Sequence, residues 1–443
     1  MSPVITGPTM ASTARAGGVP AARHPARLLP PAGRPGGGQP GGGLSAHLDR
    51  FGPLPYRGGP GLLIPEIAAA GLTGRGGAGF PVHRKLAAVA GHRAGRAIVA
   101  GNGAEGEPAS DKDKTLLREA PHLVLDGLQL AAEAVQASST VLYVCCGQQL
   151  RDQLCAVIAE RAGRGLEHAP VRLAVAPPRF LAGQESALAS RISGGAALPR
   201  FTPPQAGLRG TDGRPVLVQN VETLAQLALI ARYGAAWFRG AGTPDEPGTM
   251  LCTLRQADGS AGVAEVPIGT PLAGLLDLAG AGAVLAGGYH GSWLPAGQAA
   301  TLTLSNADLR PFGASVGAGV LAALPASRCG LAETARVARY LALESAGQCG
   351  PCLNGLPRIA AALAQVARLR PPRGVLADMR RWAGLMEGRG ACHHPDATVR
   401  FVRSALRTFA AEIRRHQQGR CSATSDAAFL PVPAGPAAES DWS

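Results

Sequence analysis

Lysine is almost missing from this chain. It stands only at positions 85, 112 and 114, while Arg fills every other basic position in a total of 43 Lys plus Arg. The pattern reads as a GC-biased composition. It makes the three lysines informative, because they fall in or just after the stretches richest in glycine and acidic residues. Aromatics are scarce too, at 4% against 46% hydrophobic, so the cores must rest on Ala, Leu and Val. No apolar run reaches the ~18 residues of a membrane span. The net charge of +13 would suit an acidic partner or nucleic acid. The excess is scattered Arg, however, with no basic run and no interleaved aromatics, so nucleic-acid binding is not expected. Residues 1–44 hold no Asp or Glu and many Pro, Gly and Ala. Such a segment buries too little to fold, and order is expected to begin near Ser45. It lacks the compact apolar run of a secretory signal, and Pro and Gly break the amphipathic helix of a transit peptide.

Glycine is abundant, at 61 residues, and one stretch concentrates it. Gly74–Lys85 reads GRGGAGFPVHRK and follows a predicted helix, Ile64–Ala70. Gly74, Gly76, Gly77 and Gly79 leave the backbone bare of Cβ atoms. Arg75 and Lys85 bracket those amides with positive charge, a combination suited to a phosphate or a flavin's anionic edge. No apolar strand runs straight into it, so it is not the dinucleotide fingerprint. A plain glycine loop would read the same from this stretch alone.

Ala97–Ala100 reads as a buried strand delivering the loop GNGAEGEPASDKDK, Gly101–Lys114. Asn102, Glu105 and Glu107 gather there, with Lys112 and Lys114 beyond. The carboxyl end of a strand is where open α/β sheets bind ligands. Helix Pro121–Gln136, strand Thr140–Cys146, helix Gln148–Arg161 and strand Val171–Ala176 continue an alternation that predicts a parallel α/β domain over 45–240. Adjacent Cys145 and Cys146 are expected to pack on opposite faces of the sheet, and Cys155 in the core as well. FLAGQESAL, Phe180–Leu188, is a second turn into a helix, with Gly183 and Glu185 at its start. Pro199–Pro204 is a stiff connector, and VLVQNVETLAQL places Asn220 and Thr223 at another helix start.

After the linker Gly240–Gly248, residues 249–325 turn β-rich. Strands are expected at Met250–Leu254, Gly262–Val266, Ala283–Ala286 and Thr301–Leu304, with a helix at Pro271–Leu278. Residues 326–420 are helical in pattern, with candidate helices at 332–346, 353–369, 373–387 and 395–417 forming a bundle. The tail 421–443 is small and polar and is expected to be disordered.

Cys349 and Cys352 form C-x-x-C in a Gly/Pro turn between two of these helices, and Cys392 lies in a later inter-helix loop. Three thiolates from two loops make a metal constellation. With His393 they would satisfy zinc, whereas an iron–sulfur cluster normally takes four cysteines. Cys329 and Cys421, at helix ends, are weaker candidates. Cys252 reads as core.

Together GRGGAGFP, GNGAEGEP, VQNVETL and ESAGQCGPC resemble the NADH-binding flavoprotein (F) subunit of NADH–quinone oxidoreductase, respiratory complex I. The resemblance runs from about Ile64 to Ile413 in matching order. It implies a multidomain α/β architecture: a parallel-sheet flavin/nucleotide domain, a small ubiquitin-like β-grasp domain, and a C-terminal helical bundle holding a 4Fe–4S cluster. It implies an FMN site at Gly74, Arg75, Gly76, Gly77, Lys85, Asn102, Glu105, Gly183, Asn220 and Thr223. Phe80 would stack on the nicotinamide nucleotide, with Glu107 and Glu185 as the carboxylates near NADH. Cys349, Cys352 and Cys392 would be three of the cluster's four thiolates. The chain departs from the family's pattern at Ala346, in place of the first cluster cysteine, and at Ala104, Gln184 and Thr202. The fourth cluster ligand is then His393, Cys329, solvent or a partner's residue.

The implied activity is cytoplasmic electron transfer from NADH through FMN and the iron–sulfur cluster to a protein acceptor. The expected partner is a ferredoxin-like or other electron-transfer protein, or the remainder of a multisubunit oxidoreductase. The departures leave two alternatives: a ferredoxin-like donor in place of NADH, or a non-catalytic docking or assembly role.

Overall fold

The computed structural model describes residues 27–30, 43–59, 61–92, 97–201, 209–210, 212–433 and 442. Helices α1 (Gly43–Phe51), α2 (Ile64–Ala70) and α3 (Val82–Ala90) precede strand β1 (Ile98–Gly103). Then come α4 (Lys112–Glu119), α5 (Pro121–Ala134), β2 (Ser139–Val144), α6 (Gln148–Gly163) and β3 (Val171–Val175). α7 (Glu185–Ile192), β4 (Val216–Asn220) and α8 (Val221–Arg239) complete this part. The four strands form an all-parallel sheet in the order β3-β2-β1-β4. Such a sheet needs cover on both faces. Leu123 and Leu128 of α5 and Leu224 and Leu227 of α8 pack on one face, and Leu188 and Ala189 of α7 on the other. α5 is buried along its whole length, and its Asp126, Gln129 and Glu133 side chains are hydrogen-bonded. Asp126 accepts from His47 and Arg161, each at 2.8 Å, and from Arg232 at 2.5 Å.

The second sheet begins with the hairpin β5 (Thr249–Arg255) and β6 (Ala261–Pro267). β7 (Ala281–Ala286), β8 (Ser292–Pro295), two short helices α9 (Ala296–Ala299) and α10 (Asn306–Leu309), and β9 (Val320–Pro325) follow. The order is β6-β5-β9-β7-β8, with β9 parallel to β5 and antiparallel to β7. First and last strands thus lie side by side at the centre, the β-grasp arrangement. Strand alternation divides its residues between two cores. Leu321 and Ala323 face Met250, Cys252 and Val284. Val320, Ala322 and Leu324 face the helices that follow. These are α11 (Gly330–Leu343), a wide turn at Pro351–Gly355, α12 (Leu356–Val366), α13 (Val375–Met386), α14 (His394–Thr408) and α15 (Ala410–Gln417).

Several expectations are corrected. Thr301–Leu304 is no strand: only Thr303 forms an isolated bridge, with Pro271. The expected helix Pro271–Leu278 shrinks to a single turn at Leu272–Gly274. β8 and β9 are strands that the sequence pattern does not predict, and Lys85 and Lys112 lie on helices rather than loops. β2 stops at Val144, yet Cys145 and Cys146 still pack into opposite cores. Cys155 is exposed, not core.

Order also starts before Ser45. Glu265 Oε2 accepts from the amides of Arg27 and Leu28, at 2.9 and 2.8 Å, and Leu28 is fully buried. The tail is docked as far as Val432: Glu333 accepts from the amides of Phe429 and Leu430 at 3.1 and 3.0 Å, and Leu430 is buried. Trp442, also buried, lies against the Arg179 guanidinium. The remainder of the expected disorder, with Thr202 and half of Pro199–Pro204, lies outside the described residues. Among the described residues no helix is long and apolar enough to cross a membrane.

Candidate functional site

A cavity of about 390 Å³ opens at the carboxyl ends of β1 and β4. These strands are neighbours, and Asn102 sits opposite Asn220. The turn Gly76–Ala78, the loop after β1 and the turn at Phe180–Gln184 wall one side. Loops of the second sheet (Gly287, His290, Ser315, Gly317) and of the bundle (Cys392–His394) wall the other. The volume lies in the range of small-molecule sites. Much of the wall is glycine or alanine, which leaves room for a flat ring against backbone. Gly183 is required for this closeness: a Cβ there would lie 2.4 Å from Ala104 O.

The cavity gathers Gly76, Gly77, Asn102, Glu105, Glu107, Gly183 and Asn220 from the sequence-derived set. It does not gather Gly74, Arg75, Phe80, Lys85, Glu185 or Thr223. Gly74 closes the glycine turn by donating from its amide to Phe80 O at 2.9 Å. The Arg75 amide donates to Thr223 Oγ1 at 2.8 Å, and its buried guanidinium donates to Thr73 Oγ1 and Pro247 O. That cation therefore fastens the turn to the linker. Lys85 is ion-paired with Glu185, joining α3 to α7. Phe80 is 45% exposed at the end of the turn.

Sequence reasoning missed the cavity floor. Lys112 Nζ donates to Asp113 Oδ1 at 2.6 Å and to Glu222 Oε2 at 2.9 Å, and all three groups are buried. Burial alone would lower the Lys112 pKa, but Asp113, Glu222 and Glu105 outweigh it and hold the ammonium charged. Asp113 Oδ2 in turn accepts from Asn220 Nδ2 at 2.7 Å. The signal available was the rarity of lysine, which marked Lys112 without giving it a partner. Burial pushes Glu105 up to about 7, with the neighbouring Asp113 charge adding to it. Burial likewise pushes Glu107 up to about 8, although it accepts from the Tyr289 amide at 2.9 Å. That bond ties the β1 loop to the second sheet. Gln184, one of the departures, caps α7 by accepting from the amides of Ser186 and Ala187 at 2.8 and 3.0 Å.

In the bundle, Cys349 Sγ and Cys352 Sγ lie 3.6 Å apart across the wide turn. Burial, then the Cys349 thiol, pushes Cys352 up to about 11, and Cys392 adds to the same field. A bound cluster would reverse that balance by stabilising thiolates. Cys392 also lines the cavity, so the bundle's sulfur side and the glycine turn share one space. Of the suggested fourth ligands, Cys329 is excluded. It caps the start of α11, whereas Cys349 follows its end, and 14 residues span about 21 Å. His394 is occupied at both nitrogens, by His290 Nε2 at 2.9 Å and Leu341 O at 2.8 Å. His393 is beside Cys392 and is exposed at the cavity wall. The residues present therefore fit a flavin in the cavity and a cluster held by three thiolates.

Residues 67–229 match the family described as the Nuo51 FMN-binding domain. Residues 332–416 match the NADH-ubiquinone oxidoreductase-F iron-sulfur binding region. An F-type NADH-quinone oxidoreductase subunit of Rhizobium meliloti (strain 1021) is 27% identical over 381 residues, covering 82% of this chain and 90% of that protein. Its counterpart in Rickettsia felis is 27% identical over 389 residues, with the same shares. The fold superposes on an NAD+-reducing NiFe hydrogenase in its H2-reduced state with a TM-score of 0.72 at 29% identity. That match covers 84% of this chain, which spans 64% of the hydrogenase chain. With both matched regions in order around one cavity, this chain belongs to the family of NADH-binding flavoprotein (F) subunits of NADH–quinone oxidoreductase.

Proposed function

We propose that this chain passes electrons from NADH through FMN and a 4Fe–4S cluster to a protein acceptor in a cytoplasmic, multisubunit oxidoreductase. The observation that carries this is Cys392 lining the same cavity as Gly76, Gly77 and the β1 loop. Bound FMN supplies the conversion of a two-electron donor into single electrons. The amides of Gly76 and Gly77, with Asn102 and Asn220, would hold it. Glu107, with its pKa raised to about 8, keeps its proton at neutral pH. A neutral acid there spares an incoming dinucleotide's phosphates from repulsion. Exposed Phe80 offers a face for the nicotinamide nucleotide to stack on, and Glu185 acts by orienting Lys85. Cys349, Cys352 and Cys392 would hold three irons, with His393 or a partner's residue at the fourth. The net charge of +13 suits an acidic, ferredoxin-like partner.

The test is an anaerobic absorption titration of the chain reconstituted with FMN, iron and sulfide. Flavin bands bleached by about one equivalent of NADH are expected. Bands that ignore NADH but bleach with dithionite would point to a ferredoxin-like donor. No bound flavin at all would refute the proposal and leave a docking role.

A further inference from the structure

A second group of ligand-bearing side chains lies at the other end of α11. Cys329, Glu412, His416 and Cys421 each direct a sulfur, carboxylate oxygen or imidazole nitrogen to one point, and these atoms all lie within 4.8 Å of one another. We propose that the four residues form a structural zinc site, separate from the cluster cysteines, which clips the chain after α15 to the start of α11.

The geometry supports one tetrahedral ion. Zinc bonds of about 2.3 Å to sulfur and about 2.0 Å to nitrogen or oxygen place tetrahedral S···N edges at about 3.5 Å and N···O edges at about 3.3 Å. Cys329 Sγ lies 3.6 Å from His416 Nε2, and His416 Nε2 lies 3.3 Å from Glu412 Oε1. Glu412 and His416 stand four residues apart on α15, which puts both on one helix face. Their supports are those of ligands. His416 Nδ1 lies 3.2 Å from Val366 O, so the Nδ1 proton is donated there and the Nε2 lone pair points at the thiols. Ser422 donates from its amide to Glu412 Oε1 at 2.7 Å and from its hydroxyl to Oε2 at 2.6 Å, fixing the carboxylate. His416 and Glu412 are 2% and 8% exposed, while Cys421 is exposed and gives the ion an entry path. The backbone already brings the ends together: the amides of Thr424 and Ser425 donate to Ser327 O at 3.0 and 3.2 Å. Two sulfurs and an imidazole select zinc over magnesium or calcium. Binding would release the two thiol protons to solvent.

The experiment uses the full chain with its cluster reconstituted and its remaining thiols reduced. Zinc and iron are counted after dialysis, and zinc affinity is read by competition with a chromophoric chelator. One zinc per chain is expected in addition to the iron. Cys421→Ser, at an exposed position, should weaken zinc by about 100-fold or more and leave the iron count unchanged. Cobalt added to the wild-type chain should give tetrahedral d–d bands with sulfur-to-cobalt charge transfer that weakens in Cys421→Ser, whose far-ultraviolet circular dichroism shows that it is folded. Zinc absent from the wild-type chain would overturn the proposal. So would zinc retained in Cys421→Ser, zinc lost in Cys392→Ser, or a Cys329–Cys421 disulfide in the protein as isolated.

Discussion

Replacing Lys112 by Met tests the cavity floor. Lys112 is 2% exposed, and its ammonium sits 2.6 Å from Asp113 Oδ1 and 2.9 Å from Glu222 Oε2. At an effective dielectric constant of about 20, each contact carries about 6 kcal/mol of Coulomb attraction. Desolvating three charged groups offsets most of that, so the net value of the cluster is small. Removing one partner is different. Methionine fills the stem's volume but leaves two buried carboxylates facing one another with no cation between them, at an expected cost of about 3–5 kcal/mol. Glu222 Oε1 also accepts from the Leu251 amide at 2.8 Å, so its strain reaches the second sheet. The double variant Lys112→Met/Glu222→Gln should recover at least about 1 kcal/mol relative to the sum of the single changes. Asp113 fixes Asn220 at the cavity wall, so FMN affinity should fall about tenfold for each ~1.4 kcal/mol that reaches the site. Guanidinium unfolding followed by circular dichroism, with FMN binding read by flavin fluorescence, measures both. A Lys112→Met chain within about 1 kcal/mol of wild type, or costs that simply add, would refute the reasoning.

Glu107 gives a pH prediction. Its folded pKa is raised from 4.5 to about 8, so the native state keeps a proton that the unfolded chain has lost. Its contribution to stability is fully present below about 4.5 and is lost as pH rises through about 8. Glu107→Gln should flatten that decline by roughly 2–4 kcal/mol, measured as urea unfolding at either end of the window. An unchanged slope would mean that Glu107 is ionised in the native state. Ala346→Cys should supply the missing thiolate and lengthen the cluster's lifetime against a chelator, followed by iron analysis and by the decay of its visible absorption. An unchanged lifetime would mean that the fourth iron already has an equally good ligand.

The readable parts of the site were those fixed by local chemistry. The turn at Gly76–Gly77 is a stretch without side chains whatever surrounds it. Asn102 lies in the loop that follows the predicted strand Ala97–Ala100, Asn220 at a predicted helix start, and Cys349 and Cys352 are neighbours by spacing alone. The illegible parts depend on a distant partner. Arg75 resembles a ligand cation because sequence shows its charge but not the Pro247 carbonyl that takes it. Lys85 resembles one too, until α3 sets it opposite Glu185. Arg27–Leu28 and Phe429–Leu430 read as disordered because each lacks a local partner. Glu265 and Glu333, more than 90 positions away, supply carboxylates to their bare amides.

The cysteines divide on the same principle. Sequence offers Cys329 as one candidate for the fourth cluster ligand, beside His393, solvent and a partner's residue. The length of α11 decides against it. A 14-residue helix separates Cys329 from Ala346 and faces them toward opposite ends of the bundle. Once Cys329 is removed from the cluster, its neighbours are what matter. It meets His416, Glu412 and Cys421, three residues that sequence places about 90 positions away with no spacing motif. A bundle that holds sulfur at both ends can lose one cluster thiolate and still keep its helices in register. Its packing rests on Val337, Leu341, Ile359, Leu363 and Phe401 between the ends rather than on the cluster alone. The loss at Ala346 should therefore alter the cluster's coordination and potential before it alters the fold.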